Sequence, residues 1–191
     1  WTDLEPSDNC SAMLALAFYH YNDATPDDST KLLADNQGNA TVDRDGNGTG
    51  DDFLSRFEVV NPVVSATYDG WSQPRTVSGE PITTTRGRGS RDGGWAAGAT
   101  WGRAKTKGDW SASYQRQDVE QDAVFSPVAQ DDFLMTTNHR SHYGGVKYRL
   151  TDAIQLHLWA LASSRMERGV TATTDSRGDQ WRLRLDLDFS F

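Results

Sequence analysis

Residues 181–191 read Trp-Arg-Leu-Arg-Leu-Asp-Leu-Asp-Phe-Ser-Phe, and no other stretch of the chain restricts its own fold as tightly. Trp181, Leu183, Leu185, Leu187, Phe189 and Phe191 alternate with Arg182, Arg184, Asp186, Asp188 and Ser190. A β-strand points successive side chains to opposite faces, so a period of two sorts this run into one apolar face and one polar face. A helix at 3.6 residues per turn would scatter both sets round its cylinder.

Similar runs recur upstream. Residues 153–166 carry Ile154, Leu156, Leu158, Ala160 and Ala162 on one face. Residues 139–150 set Val146, Tyr148 and Leu150 against Lys147 and Arg149. Residues 109–119 set Trp110, Ala112 and Tyr114 against Ser111, Ser113, Gln115 and Gln117. Residues 93–104, 63–71 and 52–61 follow the same rule, and 11–21 is apolar on both faces. The pattern predicts an all-β chain of about eight strands. Three connections are short (61–62, 105–108 and 151–152), and four are long and polar (22–51, 72–92, 120–138 and 164–178).

That alternation is the pattern of an antiparallel transmembrane β-barrel, with short periplasmic turns and long extracellular loops. If the carboxyl end is periplasmic, every short turn falls on the periplasmic side. Trp95, Trp101, Trp110, Tyr148, Trp181 and Phe191 fall near strand ends, where a membrane girdle would place them. The orientation predicts Leu183, Leu185 and Leu187 on the outer surface. It makes Gln115, Gln117, Lys147, Arg149, Arg182, Arg184, Asp186 and Asp188 pore-lining, where they would set the field felt by solutes. It also turns Trp159 and Leu161 inward and puts Arg116 on the lipid side.

Composition narrows the classes. Lys and Arg number 19 and Asp and Glu 27, a net charge of −8, which argues against a non-specific nucleic-acid binder. No run approaches the roughly 18 apolar residues of a membrane helix. Cys10 is the only cysteine, so the chain has neither an internal disulfide nor a cysteine zinc cluster. Residues 1–10 are read as an extension or the continuation of a preceding segment, and 11–191 as barrel.

Residues 95–125, Trp-Ala-Ala-Gly-Ala-Thr-Trp-Gly-Arg-Ala-Lys-Thr-Lys-Gly-Asp-Trp-Ser-Ala-Ser-Tyr-Gln-Arg-Gln-Asp-Val-Glu-Gln-Asp-Ala-Val-Phe, carry a further signal. With Asp131-Asp132-Phe133, the run Tyr-Arg-Leu-Thr-Asp at 148–152 and the closing strand, they resemble a porin family of Gram-negative outer-membrane β-barrels. Arg116 stands where that family usually has an aromatic. The terminal Phe191 looks like the carboxyl-terminal signature read by the barrel-assembly machinery. The resemblance implies that this chain is the carboxyl-terminal half of a larger barrel, of roughly 16 strands. It implies a water-filled channel in the bacterial outer membrane for passive diffusion of small hydrophilic solutes. Outer-membrane lipid surrounds such a barrel, its carboxyl terminus is periplasmic, and a homo-oligomer is compatible with it.

One loop motif points to a metal. Asp43, Asp45, Asn47, the Thr49 carbonyl and Asp51 have the spacing of oxygen ligands in a calcium loop, with Gly48 at the sharp turn. The run resembles the calcium loops of thrombospondin type 3 repeats. The twelfth position, a bidentate acid in an EF-hand, is Leu54. The same residues also suit a solvated acidic loop with turn-forming Gly and Asn. Residues 22–52 hold eight acids and two bases, 2 − 8 giving −6, most of the imbalance of the chain.

His139 and His142 lie near Ser141 and Asn138, but no nucleophile elbow or paired carboxylates accompany them, so no enzyme is expected. Two rivals to transport remain. One is a structural or partner-binding outer-membrane barrel that serves as an envelope anchor or sheath. The other is a secreted calcium-binding β-domain, whose apolar strand faces would pack inside.

Overall fold

The computed structural model describes residues 1–21, 36, 38–48, 50, 52–129, 136–166 and 179–190. The chain is all-β. In order come β1 (Thr2–Ser7), β2 (Cys10–His20), β3 (Thr41–Val42), β4 (Asp52–Phe53), β5 (Glu58–Tyr68), β6 (Arg75–Thr84), β7 (Gly93–Gly102), β8 (Trp110–Val119), β9 (His139–Thr151), β10 (Ile154–Arg165) and β11 (Gln180–Phe189). Nine of these form one sheet in the order β1-β2-β5-β6-β7-β8-β9-β10-β11, while β3 and β4 pair as a separate small hairpin. Every ladder is antiparallel. Among the described residues β1 and β11 are the edges of the sheet, and no ladder joins them.

The strand count differs from the expected eight at four places, the first being the β3–β4 hairpin, whose β3 falls within the expected 22–51 loop. Residues 61–62 are not a turn: β5 runs straight through them. Val60 pairs with Thr83 and Val64 with Gly79, a register that sets Pro62 opposite Pro81. Neither proline has an N–H to donate, so the ladder lapses there. The Asn61 side chain covers the gap by donating from Nδ2 to the Pro81 carbonyl at 3.1 Å. Residues 72–92 are not wholly loop, because β6 occupies their middle. Residues 2–7 form β1, paired to β2.

The connections of the observed strands alternate between the two ends of the sheet. Residues 8–9, 69–74, 103–109 and 152–153 turn at one end of the sheet. At the other end β2 stops and β5 starts, residues 85–92 connect β6 to β7, β8 stops and β9 starts, and β10 stops and β11 starts. The turns are capped locally. Asp109 Oδ2 accepts from the Thr106 amide and hydroxyl, both at 2.9 Å, and Gly108 supplies a φ of 90°. Those amide bonds hold the Asp109 carboxyl below its ordinary range.

Register fixes the faces. Ala112 lies opposite Val146, Val146 opposite Leu158, and Leu158 opposite Leu185. Leu14 lies opposite Val64, Val64 opposite Gly79, and Gly79 opposite Ala97. The apolar residues named here therefore share one face across eight strands, while Val59, Ile82, Val119 and Leu161 lie on the other, and β1 adds Leu4 opposite Ala12. That face points away from protein: Leu183, Leu185 and Leu187 are 63%, 61% and 54% exposed.

The buried hydrophobic cluster lies elsewhere. Phe53, Phe57 and Phe125, with Tyr21 against them, pack from the loops at the loop end, with ring centroids 5.0–5.9 Å apart.

Candidate functional site

The opposite face of the sheet lines an open cavity of about 810 Å3. Tyr19 on β2, Asn61 on β5, Glu80 on β6, Gln115 and Gln117 on β8, Tyr143 on β9, His157 and Trp159 on β10, and Arg184 and Asp186 on β11 all line it. A sheet that brings β2 and β11 to one cavity is strongly curved. Period-two alternation selects these residues: each is the neighbour in sequence of a side chain on the apolar outer face.

The best-connected wall is β9 to β11. Trp159 Nε1 donates to Asp186 Oδ2 at 3.0 Å, and Arg184 Nε donates to Asp186 Oδ1 at 2.6 Å. The Trp159 ring stacks near Tyr143 at 5.5 Å and under the Arg184 guanidinium at 5.8 Å. Trp159 and Leu161 do face inward, and both are buried. Gly145 makes the room: it pairs with Trp159, and a Cβ there would lie 2.9 Å from the Trp159 Cβ.

Of the pore-lining residues expected from sequence, Gln115, Gln117, Arg184 and Asp186 line the cavity. Lys147 opposite His157, and Arg149 and Asp188 both opposite Gln155, share the same face nearer the turn end, where Gln155 Nε2 donates to Asp188 at 3.3 Å. Arg182 pairs with Leu161 nearer the loops. Glu80 carries no sequence signal, because β6 has no alternating pattern, and His157 and Tyr143 are single positions on the inner faces of alternating strands.

The loop end of the cavity is capped by two loops locked to each other. Asn39 Nδ2 donates to the carbonyls of Gln121 and Val124 at 2.9 and 2.7 Å, and its Oδ1 accepts from the Ser126 amide at 2.7 Å. Asp122 accepts from Ser55 Oγ at 2.6 Å and from the Ala40 amide at 2.9 Å. Asn39, Ser55, Asp122 and Ser126 are all buried. Burial pushes the Asp122 carboxyl up, against the opposing pull of those two donors. Val124, Phe125 and Val128 present apolar surface to the cavity from this cap.

The outer face carries aromatic clusters. At the turn end Tyr68 packs on Trp71 at 5.2 Å, Trp101 packs on Trp110 at 5.8 Å, and the Arg75 guanidinium lies 3.5 Å from the Trp71 ring and 4.9 Å from Trp101. Tyr148 pairs with Trp110. Trp95 and Trp181 lie towards the loop end, and Phe191 lies outside the described residues. Tyr68 and Trp71 join the group although sequence inspection missed them.

The calcium motif is described only in part, since Thr49 and Asp51 lie outside the described residues. Asp43 accepts from the amides of Gly46, Asn47 and Gly48 at 2.7, 3.2 and 2.8 Å, and Asp45 accepts from Asn47 Nδ2 at 2.9 Å. These amides, Gly48 first, hold the Asp43 carboxyl below its usual range. Among the described residues no group of three or more His, Cys, Asp or Glu side chains is placed to hold a metal. His139 and Ser141 point inward and are buried, whereas His142 stands on the outer face opposite Arg116, so alternation separates the two histidines. Compared with family models, curated proteins and solved structures, the chain matches none.

Proposed function

We propose that this sheet is the wall of an outer-membrane β-barrel of porin type, through which small hydrophilic solutes diffuse passively. One observation carries the reading: exposed large apolar side chains on β2 and β5 to β11, such as Leu16, Val64, Val77, Leu158 and Leu185, share one outward face, while the face lining the cavity carries Asn61, Glu80, Gln115, Arg184 and Asp186 among aromatic and aliphatic side chains. In water that arrangement leaves large apolar side chains uncovered across the whole sheet, far beyond the scattered ones a soluble surface tolerates. In hydrocarbon it covers them.

A bilayer does not tolerate an open sheet edge, because unpaired N–H and C=O groups find no water there. The edges at β1 and β11 are therefore joined to each other or to further strands of a larger barrel, as the porin resemblance implies. The turn end is periplasmic and the loop end extracellular. The mechanism needs no cofactor. Width, the Arg184–Asp186 pair, Glu80 and the cap decide what passes; calcium at the 43–51 loop would stiffen an external segment. Reconstitution in planar bilayers tests the proposal: stepwise conductance is expected, and insertion without conductance overturns the transport function.

The ordered cap favours a second reading. A barrel whose loop end is filled by hydrogen-bonded loops presents a fixed outer surface, which suits an envelope anchor or a partner-binding barrel. Insertion without conductance is the result that this reading expects.

A further inference from the structure

We propose that the outer face holds a specific lipid site, in which one acyl chain of a phosphorylated membrane lipid lies in a groove across β8 to β11 and its phosphate rests against Arg116 and Arg140. This rests on the membrane reading above. The groove has a volume of about 330 Å3. Gly144, Ala160 and Ala162 floor it, Tyr114 and His142 wall one side, and Trp181 and Leu183 wall the other. Register explains the shape: Ala160 pairs with Gly144 and Leu183, and Ala162 pairs with His142 and Trp181, so small side chains run between two bulky rows. Protein does not fill this gap on a lipid-facing wall, so an acyl chain does.

The loop end of the groove changes character within one residue step on each strand. Beyond Tyr114 comes Arg116, and beyond His142 comes Arg140. Asp118 holds both guanidiniums, Arg140 at 3.1 Å and Arg116 at 3.5 Å. Two guanidiniums share the single Asp118 carboxylate here, and His142 Nδ1 is fixed by the Tyr114 hydroxyl at 2.7 Å. Arg116 Nε is shielded from solvent with no hydrogen-bond partner among the described residues. Guanidinium forks match phosphate geometry. A pair of guanidiniums sharing one carboxylate above an apolar groove is complementary to a lipid that is greasy below and anionic above.

The test inserts the full-length protein that carries these 191 residues into phosphatidylcholine vesicles containing a minor fraction of phosphatidylglycerol, extracts it gently and weighs retained lipid by native mass spectrometry. One phosphatidylglycerol per chain is expected, preferred over phosphatidylcholine by about tenfold or more. Arg116→Gln with Arg140→Gln removes that preference. Because Asp118 then loses its partners, Ala162→Phe is the second variant: it fills the groove, leaves every charge in place, and abolishes retention. Equal retention of the two lipids by the unmodified chain, or unchanged retention in Ala162→Phe, overturns the site. Protease protection separates the two levels. A chain that never inserts defeats the membrane reading and the site together, whereas an inserted chain without lipid preference defeats the site alone.

Discussion

Asn39 and Asp122 do with two side chains what a shared strand would otherwise do: they fasten one loop to another across more than 80 residues of sequence. Removing Asn39 takes a partner from the Ser126 amide and the Val124 carbonyl, while the Gln121 carbonyl keeps the Thr137 hydroxyl at 2.9 Å. An unmatched buried group costs about 1–3 kcal/mol, so Asn39→Ala should loosen the cap by ~2–3 kcal/mol. Amide exchange at Ser126 would then quicken by roughly 30- to 150-fold, and unchanged exchange would show that the cap does not depend on Asn39. Asp122 gives the cap a pH dependence. Its carboxyl is raised above the unfolded value by burial, so its neutral form is the one the folded cap prefers. That contribution is complete below the ordinary carboxylate pKa and is lost as pH rises through the raised folded value. Exchange protection of the cap should therefore increase on mild acidification. Asp122→Asn should flatten the increase, and the difference between the two proteins isolates Asp122 from the acidic 22–52 loop.

At the scale of elements, what the sequence revealed depended on whether a strand's own pattern carried its assignment. β11 could be read because six apolar residues alternate without interruption. β6 could not: Arg75–Thr84 has Val77 and Ile82 on opposite faces, with Gly79 and Pro81 between them. β1 holds one apolar side chain, Leu4. β5 was split in two because proline usually ends a strand, yet here Pro62 faces Pro81 and each spares the other an unmatched partner. The cap was invisible for a different reason, since its bonds join loops whose composition is ordinary turn chemistry. The fit of β9 to β10 offers a measurement. Gly145→Ala would bring a Cβ to 2.9 Å from the Trp159 Cβ and 3.1 Å from the Leu158 carbonyl. Neither neighbour is a flexible tip, so overpacking should cost ~1–3 kcal/mol in urea unfolding. Gly79→Ala, whose Cβ would make an ordinary 3.5 Å contact with Val64, should stay within about 0.5 kcal/mol. Equal effects of the two would mean that Trp159 is not seated as described.

For the molecule as a whole, the two faces of one strand make opposite predictions, and β11 supplies both in adjacent residues. Leu185 lies in the middle of β11, between Leu183 and Leu187 and opposite Leu158, so in a bilayer it meets hydrocarbon. Arginine there costs about 2–4 kcal/mol near the midplane. Leu185→Arg should lower unfolding stability in vesicles by that amount, or stop insertion. Arg184 points into the cavity, where Asp186 and the Trp159 ring hold it. Arg184→Gln keeps a polar side chain towards water and removes one positive charge beside Asp186. It should leave insertion unchanged and shift the ion selectivity of any conductance towards cations. A soluble β-domain predicts the reverse ordering. In water Leu185 is already exposed, so arginine would be tolerated and would improve solubility, while loss of the Arg184–Asp186 bond would be the more damaging change. Measuring both variants in vesicles and in detergent-free buffer therefore decides which solvent the apolar face of this sheet is built for, whether or not a channel is ever seen to conduct.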